Sequence, residues 1–286
     1  FNIYAKRVPD VKKITSAMIE RGMVSSQNEI INDHIAFRTM GVPNLGISSF
    51  EKIFLANGYK RMDFYHFAIK KLDAYWYSPP TEDLPRIFIS ELKVEKLSPK
   101  VQNIIRFYTD SIVQDPVDTL NLDDYKAVAK YFQTPLWDLP SLKDYEQLLS
   151  ESEYAAWVIY NRYYLNHYTI SVHDLPNPYN KLESFNEFLN DIGIKLNTSG
   201  GIIKTSKDQL LRQSSSVANT VRANFTNGNT KKIAGSYVEF AERSLLPEFR
   251  NLKSDKLKRE HRREGFETSN ADRIFESTFT SQIKNS

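Results

Sequence analysis

The 286-residue sequence contains no cysteine, and this absence removes several kinds of chemistry. Disulfide bonds, thiolate nucleophiles and cysteine-ligated zinc or iron–sulfur centres are all excluded. Histidine is scarce as well, with five residues in the chain. A metal centre in this protein must therefore be built from a few histidines together with aspartate or glutamate.

Long apolar runs and a surplus of one charge are also missing. No stretch approaches the roughly 20 apolar residues of a membrane span, and no signal peptide is recognisable. The net charge is +3, and the one basic run, Lys253–Arg263, is interpreted as a solvated helix face rather than a nucleic-acid surface. We expect a cytoplasmic protein without nucleic-acid or membrane partners. The chain begins at Phe1 rather than at methionine, which leaves the native start open.

Aromatic and apolar residues are abundant. Hydrophobic residues make up 41% of the chain, aromatic residues 13% and charged residues 26%. This composition is typical of a soluble globular protein, and the aromatic share favours strands and a well-packed interior.

The apolar periodicity predicts the same order of elements in both halves of the chain. In the first half we predict a helix over 8–24, a strand over 31–39, a helix over 47–57 and strands over 60–69, 73–78 and 86–94. In the second half we predict a helix over 153–164, a strand over 167–172, a helix over 181–192 and strands over 208–214, 217–225 and 233–242. Each half is thus an N-terminal helix followed by β-α-β-β-β.

This order divides the chain into four regions. They are an N-terminal helix with the first βαβββ module (1–98), a helical insertion (99–150), a second βαβββ module (151–250) and a charged C-terminal helix or tail (251–286). One module alone would leave a sheet face exposed, whereas two side by side can curve around one pocket. We therefore predict an α+β fold of paired modules.

His34 and Arg38 have the same parity on the strand predicted over 31–39. At about 3.3 Å per residue their Cα atoms lie roughly 13 Å apart, a gap that a long arginine side chain can shorten. The pattern is compatible with a metal ligand beside a clamp for an anionic substrate. A hydrogen-bonded core histidine is an equally good interpretation of this strand alone.

The second half offers residues in corresponding places. His167 opens its first strand, as His34 opens that of the first half. Glu91 and Glu239 stand between apolar residues in the last strand of each half, in what we take to be matching positions. A metal or an arginine partner would explain a glutamate there, and so would an outward-facing side of an amphipathic strand.

Two histidines and one glutamate would form a 2-His-1-carboxylate site, which is typical of non-haem Fe(II) oxygenases. Zinc hydrolases use two histidines and a glutamate as well, so the ligand types leave the metal open. His173 competes with His167 for this role, while His66 and His261 are interpreted as structural and surface residues. The sequence has no GxSxG, P-loop or GxGxxG motif.

Five segments, in order, resemble the 2-oxoadipate dioxygenase/decarboxylase family. They are DHIAFRT (33–39), RIFISEL (86–92), NHYTISV (166–172), LLRQSSSVA (210–218) and YVEFAER (237–243). The resemblance spans most of residues 10–250 and implies a fold related to the vicinal oxygen chelate superfamily. It also implies an Fe(II) (Fe2+) cofactor, ligated by His34, His167 and Glu239, which also contact the substrate. It assigns Arg38 a catalytic role, paired with a substrate carboxylate.

The implied reaction converts 2-oxoadipate and O2 into 2-hydroxyglutarate and CO2, a step of lysine breakdown. The partners would be a small-molecule 2-oxo acid and O2. Glu91 is taken to occupy the position that supplies a fourth ligand in glyoxalase-like relatives, and we leave it outside the metal set because the family uses three ligands. The alternatives are a glyoxalase-type metal-dependent lyase or isomerase, and a non-catalytic binding protein of the same fold.

The C-terminal region bears on substrate choice. Longer family members carry an additional C-terminal stretch that contributes to the substrate pocket, whereas this chain ends soon after its second module. The residues that contact the far end of the substrate are therefore not identified by the sequence.

Overall fold

The computed structural model describes residues 2–253 and 256–284, and one eight-stranded mixed sheet forms its centre. In chain order the strands are β1 (Asn32–Met40), β2 (Lys60–Phe67), β3 (Leu72–Ser78), β4 (Arg86–Leu92), β5 (His167–Ser171), β6 (Lys204–Thr205), β7 (Leu211–Ser215), β8 (Thr220–Asn224), β9 (Thr230–Ala234) and β10 (Tyr237–Arg243). Across the sheet the order is β2-β3-β4-β1-β5-β10-β7-β6. The first four strands come from the first half of the chain and the other four from the second.

Helices surround this sheet. They are α1 (Asn2–Arg7), α2 (Pro9–Glu20), α3 (Ile47–Ala56), α4 (Pro99–Thr109), α5 (Tyr125–Tyr131), α6 (Leu142–Glu151), α7 (Glu153–Asn161), α8 (Leu182–Asp191), α9 (Thr268–Phe275) and α10 (Thr280–Lys284). Four of them start at an N-cap side chain that accepts a backbone N–H, namely Ser98, Asp124, Ser141 and Ser152. Within the described ranges, no helix is both long enough and apolar enough to span a membrane.

The two halves meet at β1 and β5, which pair antiparallel in the middle of the sheet. Each of these strands has the last strand of its own half as a parallel neighbour on the other side, β4 beside β1 and β10 beside β5. The arrangement gives the sheet an approximate twofold relation between its halves. Residues that are related in this way therefore approach each other near the β1–β5 boundary.

Two large apolar clusters hold the helices against the sheet. The first packs α3, α4, α6 and α7 against β1, β3 and β4, with Phe50, Ile105, Leu148 and Val158 among its buried residues. The second packs α2 and α8 against β5 and β10, with Ile14, Met18, Phe185 and Phe240 among its buried residues. Each of these helices buries an apolar stripe against one half of the sheet. This packing holds the central strands in place on the face that the helices cover.

The second half departs from its prediction in one place. The segment predicted as a sheet strand over 217–225 contains β8, which pairs with β9 in a separate two-stranded sheet. In β8 only Ala223 is buried, so this strand has little apolar surface to contribute to a central sheet. The place beside β10 is taken by β7, and the two-residue strand β6 completes this half of the large sheet at its edge.

The basic run Lys253–Arg263 is also different from its prediction. No α-helix is found in its described part, and Arg259–His261 forms a short 3-10 turn. Arg259 donates a hydrogen bond to the carbonyl of Leu84 (2.6 Å), and Arg263 donates one to that of Phe266 (3.0 Å). The predicted solvated helix face is therefore wrong, because these arginines bind main-chain oxygens of folded loops. Residues 1, 254–255 and 285–286 of the predicted end regions lie outside the described residues.

Candidate metal centre

His34, His167 and Glu239 bring three ligand atoms together in the middle of the sheet. The Nε2 atoms of the two histidines are 3.3 Å apart. The Glu239 carboxylate oxygens lie 3.5 Å from the Nε2 of His34 and 3.1 Å from that of His167. All three residues are buried, and in the part of the chain that the structure describes they are the one such cluster placed to hold a metal ion.

The other nitrogen of each ring is already hydrogen-bonded. The Nδ1 of His34 lies 2.8 Å from a carboxylate oxygen of Asp33, and the Nδ1 of His167 lies 3.2 Å from the side-chain oxygen of Asn166. Both partners accept, so in the neutral form of each ring Nδ1 carries the proton and Nε2 presents a lone pair. Two lone pairs and a carboxylate then face one another in a buried space, and a divalent cation is the group that such a donor set fits.

The protonation states of His167 and Glu239 agree with this fit, whereas the neighbouring carboxylates favour a proton on His34 that a bound cation would displace. Burial lowers the pKa of His167 to about 3, because attraction to Glu239 does not offset desolvation. For His34 burial acts in the same direction, but Glu239 and Asp33 outweigh it and raise the pKa. Burial raises the pKa of Glu239, and the two histidines more than reverse this. The carboxylate is therefore ionised and His167 neutral, which are the forms that bind metal.

A β-bulge in β1 explains how Asp33 reaches His34. The pairing of β1 with β5 shifts between Asn32 and Ile35, so that β1 carries one extra residue there. Strict alternation would place Asp33 and His34 on opposite faces of the sheet. The bulge redirects the backbone, and both side chains are buried, with exposed fractions of 3% and 1%.

Asp33 also lies in a buried ion cluster. Its carboxylate contacts Arg243 at 2.7 and 3.0 Å and Arg86 at 3.2 Å, and Arg86 in turn pairs with Glu264. Burial by itself would raise the pKa of Asp33, but the two arginines hold it well below its usual range. Arg243 further donates to the carbonyl of Gly265 (2.8 Å). The cluster thus links the orientation of His34 to the C-terminal segment.

Arg38 is buried on β1 but is not part of the pocket wall beside the three ligand atoms. Its guanidinium donates to the hydroxyl of Thr278 (3.0 Å) and to the carbonyl of Phe275 (3.1 Å). Its Nε has no hydrogen-bond partner, and no carboxylate of the described residues lies within ion-pair distance of the group. Burial accordingly lowers the pKa of Arg38. A buried cation with neutral partners is suited to receiving an anion.

The pocket beside the ligand atoms is narrow, with a cavity volume of about 20 Å³. Its walls are mostly aromatic or aliphatic, and beyond the three ligands they comprise Phe88, Gln213, Tyr237, Phe266, Ala271, Ile274 and Phe275. The Phe266 ring meets the His34 ring edge-on, with 4.8 Å between centroids. Four of these residues follow the second module, so the region predicted as a helix or tail supplies one side of the pocket.

Gln213 orients the Glu239 carboxylate and was not identified from the sequence. Its amide donates to Glu239 Oε1 at 2.6 Å, and it accepts from the amide of Asn270 at 3.0 Å. The motif that carries Gln213 was recognised, but only the pairing of β7 with β10 reveals the contact.

The predicted match between Glu91 and Glu239 is wrong, as the strand register shows. The residue two positions after His34 pairs with Phe88 on β4. The residue two positions after His167 pairs with Glu239 on β10. If His34 corresponds to His167, the position that corresponds to Glu239 is therefore occupied by Phe88.

Glu91 corresponds instead to Glu242, three residues after Glu239, and both have the same structural role. Glu91 accepts a hydrogen bond from the N–H of Ile47 (2.8 Å) at the start of α3, and Glu242 accepts one from the N–H of Leu182 (3.0 Å) at the start of α8. A side chain at Gly46 would collide with the Glu91 carboxylate, which explains the glycine there. Each glutamate thus satisfies a free amide at a helix N-terminus.

We expect Glu91→Ala to lower the free energy of unfolding by about 1 kcal/mol, the usual cost of losing a helix cap. The metal content should equal that of the parent protein, because Glu91 lies outside the ligand cluster. Denaturant unfolding and elemental analysis check the two parts. Glu242→Ala is the corresponding variant on the other helix and should cost somewhat more, because it also removes ion pairs with Lys181 and Arg212. Loss of metal in Glu91→Ala would contradict the capping role.

The other histidines lie outside the cluster. His173 is on a 3-10 turn after β5, where its ring contacts the hydroxyl of Ser171. His66 pairs with Asp73 (2.6 Å) on an exposed part of β2. Neither approaches the three ligand atoms closely enough to join them.

Comparison with known proteins gives consistent results. The sequence model of the 2-oxoadipate dioxygenase/decarboxylase family matches residues 1–254. The chain is 42% identical over 292 residues to the chloroplastic 2-oxoadipate dioxygenase/decarboxylase of Arabidopsis thaliana, covering 98% of this chain and 76% of that protein. It is also 42% identical to a hydroxyglutarate synthase from Oryza sativa, crystallised with 2-oxoadipate, with a TM-score of 0.89 over 99% of this chain and 90% of that one.

A more distant structure supports the fold alone. A putative glyoxalase superfamily protein from Ralstonia eutropha JMP134 is 21% identical, with a TM-score of 0.70 over 92% of this chain and 82% of that one. Together with the rice structure it confirms the predicted α+β fold of vicinal oxygen chelate type, in which a curved sheet carries helices on its outside.

Proposed function

The chain belongs to the 2-oxoadipate dioxygenase/decarboxylase family, and from this premise we propose that it converts 2-oxoadipate and O2 into 2-hydroxyglutarate and CO2 with the help of Fe(II). The reaction balances, because one carbon leaves as CO2 and both atoms of O2 enter the five-carbon hydroxy acid. The observation that supports the proposal best is the convergence of His34, His167 and Glu239 in a buried pocket. Three protein donors leave room on an octahedral ion for a chelating 2-oxo acid and for O2.

His34, His167 and Glu239 would hold the metal, and iron bound there would supply a chelation point for the 2-oxo acid and the redox chemistry for O2. The surrounding residues keep these ligands in place. Asp33 holds the His34 ring through Nδ1, and Gln213 holds one carboxylate oxygen of Glu239. The aromatic walls exclude bulk water from the reacting atoms.

The charges of the site favour a dianionic substrate. A divalent cation, the Glu239 carboxylate and the Arg38 guanidinium together leave two positive charges in a buried region. A 2-oxo acid with two carboxylates neutralises them, whereas one with a single carboxylate leaves one charge uncompensated. We assign Arg38 to a substrate carboxylate because its Nε has no hydrogen-bond partner among the described groups. Its charge faces neutral acceptors and the rings of Tyr154 and Trp157 rather than a carboxylate.

The direct test uses protein loaded anaerobically with Fe(II) and then given 2-oxoadipate and air-saturated buffer. We expect O2 uptake, CO2 release and 2-hydroxyglutarate formation in equal amounts, and much slower turnover of the monocarboxylate 2-oxohexanoate. Iron-loaded protein that consumes no O2 with either acid would refute the proposal. Product formation that continues without O2 would identify a lyase or isomerase of glyoxalase type.

Arg38→Ala is expected to lower kcat/KM for 2-oxoadipate by about 10- to 100-fold, the loss of a charge-assisted hydrogen bond of roughly 1.5–3 kcal/mol. Arg38→Lys keeps the charge but lacks the planar fork, so it should recover only part of the activity. Steady-state kinetics and metal analysis check both variants. An unchanged kcat/KM in Arg38→Ala, with full metal content, would remove Arg38 from the substrate site.

Metal identity and cellular setting are parts of the same proposal. We propose iron over zinc because the proposed reaction consumes O2, and elemental analysis of the purified protein tests this. We also propose a role in lysine breakdown and a cytoplasmic location. The Arabidopsis relative is named as chloroplastic, so cell fractionation is the measurement that distinguishes these locations.

A further inference from the structure

We propose that Phe88 determines the reaction class of this site, because a side chain that cannot bind metal stands where the fold would otherwise present a fourth protein ligand. The proposal rests on the metal ligands assigned under the proposed function. It adds a residue that matters because its side chain offers the metal no ligand atom.

The twofold relation of the sheet places Phe88 opposite Glu239. Phe88 is on β4, the parallel neighbour of β1, and Glu239 is on β10, the parallel neighbour of β5. Both pair with the residue two positions after a ligand histidine. Both side chains line the pocket at the ligand atoms. A carboxylate at position 88 would therefore mirror Glu239 across the site.

The Phe88 ring is held firmly in this place. Its exposed fraction is 4%, and its centroid lies 4.9 Å from that of Phe266, 5.9 Å from that of Tyr65 and 6.5 Å from that of Phe275. Aromatic packing of this kind fixes a ring and leaves no polar atom that could approach a metal. The fourth position is thus closed to protein ligands by packing.

The lack of a fourth protein ligand at position 88 has two chemical consequences. With three protein donors, a bidentate 2-oxo acid and O2 can both reach an octahedral ion, whereas a fourth carboxylate would take one of the positions they need. A second carboxylate would also remove one of the two positive charges that match a dianionic acid. Phe88 therefore favours O2-dependent chemistry on a chelated substrate over chemistry that needs fewer open positions.

Phe88→Glu is the variant that tests this assignment. In the metal-free protein, a buried carboxylate without a partner is costly, so its melting temperature should fall below that of the parent. A metal that binds the new carboxylate stabilises only the folded form, so added metal should restore much of the lost stability. Phe88→Gln is the matched control, since glutamine has the size of glutamate and is polar but is a weak metal ligand.

The experiment measures melting temperature and metal affinity with Zn2+ or Co2+ alone, and O2 uptake with Fe(II) and 2-oxoadipate. For Phe88→Glu we expect a metal-induced rise in melting temperature larger than that of Phe88→Gln, metal affinity at least about tenfold higher than in that control, and O2 uptake below that of the control. Phe88→Gln should keep the metal affinity of the parent. If neither variant folds, Phe88→His and Phe88→Leu form the corresponding ligand and non-ligand pair.

The outcomes separate this inference from the proposed function. A parent protein that binds no metal would refute the metal site itself. A parent that binds metal, combined with Phe88→Glu and Phe88→Gln that respond equally to metal, would refute only the role of Phe88. Failure of Phe88→Glu to fold with metal present, under conditions where Phe88→Gln folds, would also refute it.

Discussion

Replacing His167 with alanine is expected to remove bound metal and reduce turnover of 2-oxoadipate by more than about 100-fold. Loss of a residue that only supports a ligand costs about 10- to 100-fold, and His167 supplies a ligand atom itself. The remaining His34 and Glu239 would supply two of the three protein ligands, which is too few to hold the ion tightly. Metal content after anaerobic iron loading and O2 uptake with 2-oxoadipate measure the two effects.

Two histidine variants serve as controls for this result. His173→Ala alters the other histidine of the same segment, and His66→Ala alters an exposed one on β2. Both should retain metal in the amount found in the parent. Full metal content in His167→Ala would exclude it as a ligand, and loss of metal in His173→Ala would restore the competitor suggested by the sequence.

Replacing Asp33 with alanine is expected to lower the free energy of unfolding by about 3–5 kcal/mol, because Arg86 and Arg243 would remain buried without their shared partner. The melting temperature should fall by about 10 °C. Since His34 would also lose the acceptor at Nδ1, metal affinity should drop by about 10- to 100-fold. Thermal unfolding and metal titration measure the two losses separately.

Asp33→Asn tests the same point with less change in shape. It keeps an acceptor for His34 but removes the charge, so metal affinity should suffer less than stability. Asp73→Asn disrupts an ion pair with the exposed His66 and should cost less than about 1 kcal/mol. Equal stability losses at Asp33 and Asp73 would show that the buried cluster contributes no more than a surface pair.

The strand patterns predict most strands of the large sheet and the corresponding places of His34 and His167. Alternation of apolar and polar residues predicted β1 as a strand, and the structure has it at Asn32–Met40. The recurrence of βαβββ predicted that His34 and His167 hold corresponding places on β1 and β5. Their rings indeed meet at the centre of the sheet, with 5.3 Å between centroids. Periodicity succeeds here because it depends only on neighbouring residues.

Register could not be predicted in the same way. Which residue of β4 lies beside which residue of β1 depends on hydrogen bonds between distant segments, and a shift of three residues separates Phe88 from Glu91. Alternation also fails at a bulge, so strict alternation would wrongly place Asp33 on the face opposite His34. The register error concerns position 88, where a fourth protein ligand could stand. The error at the bulge concerns Asp33, which supports His34.

The C-terminal contribution to the pocket was hidden for a different reason. Its charged residues resemble a solvated surface when counted along the chain. In the structure, Arg263 pairs with Asp208 and Glu264 pairs with Arg86, both far away in sequence. Phe266, two residues further on, packs against the ring of His34. Ion pairs between segments that are distant in sequence leave no pattern among neighbouring residues, so sequence periodicity cannot detect them.

The ion cluster also sets an order of events for a newly made chain. Asp33 and Arg243 are 210 positions apart, so at about 5–20 residues per second the arginine leaves the ribosome some 10–40 s after its partner. Until then the partner of the Asp33 carboxylate from its own half is Arg86. The other two candidate ligands, His167 and Glu239, have not yet been synthesised. A metal ion can therefore find all three ligands only after β10, in the second half of the chain, has been made.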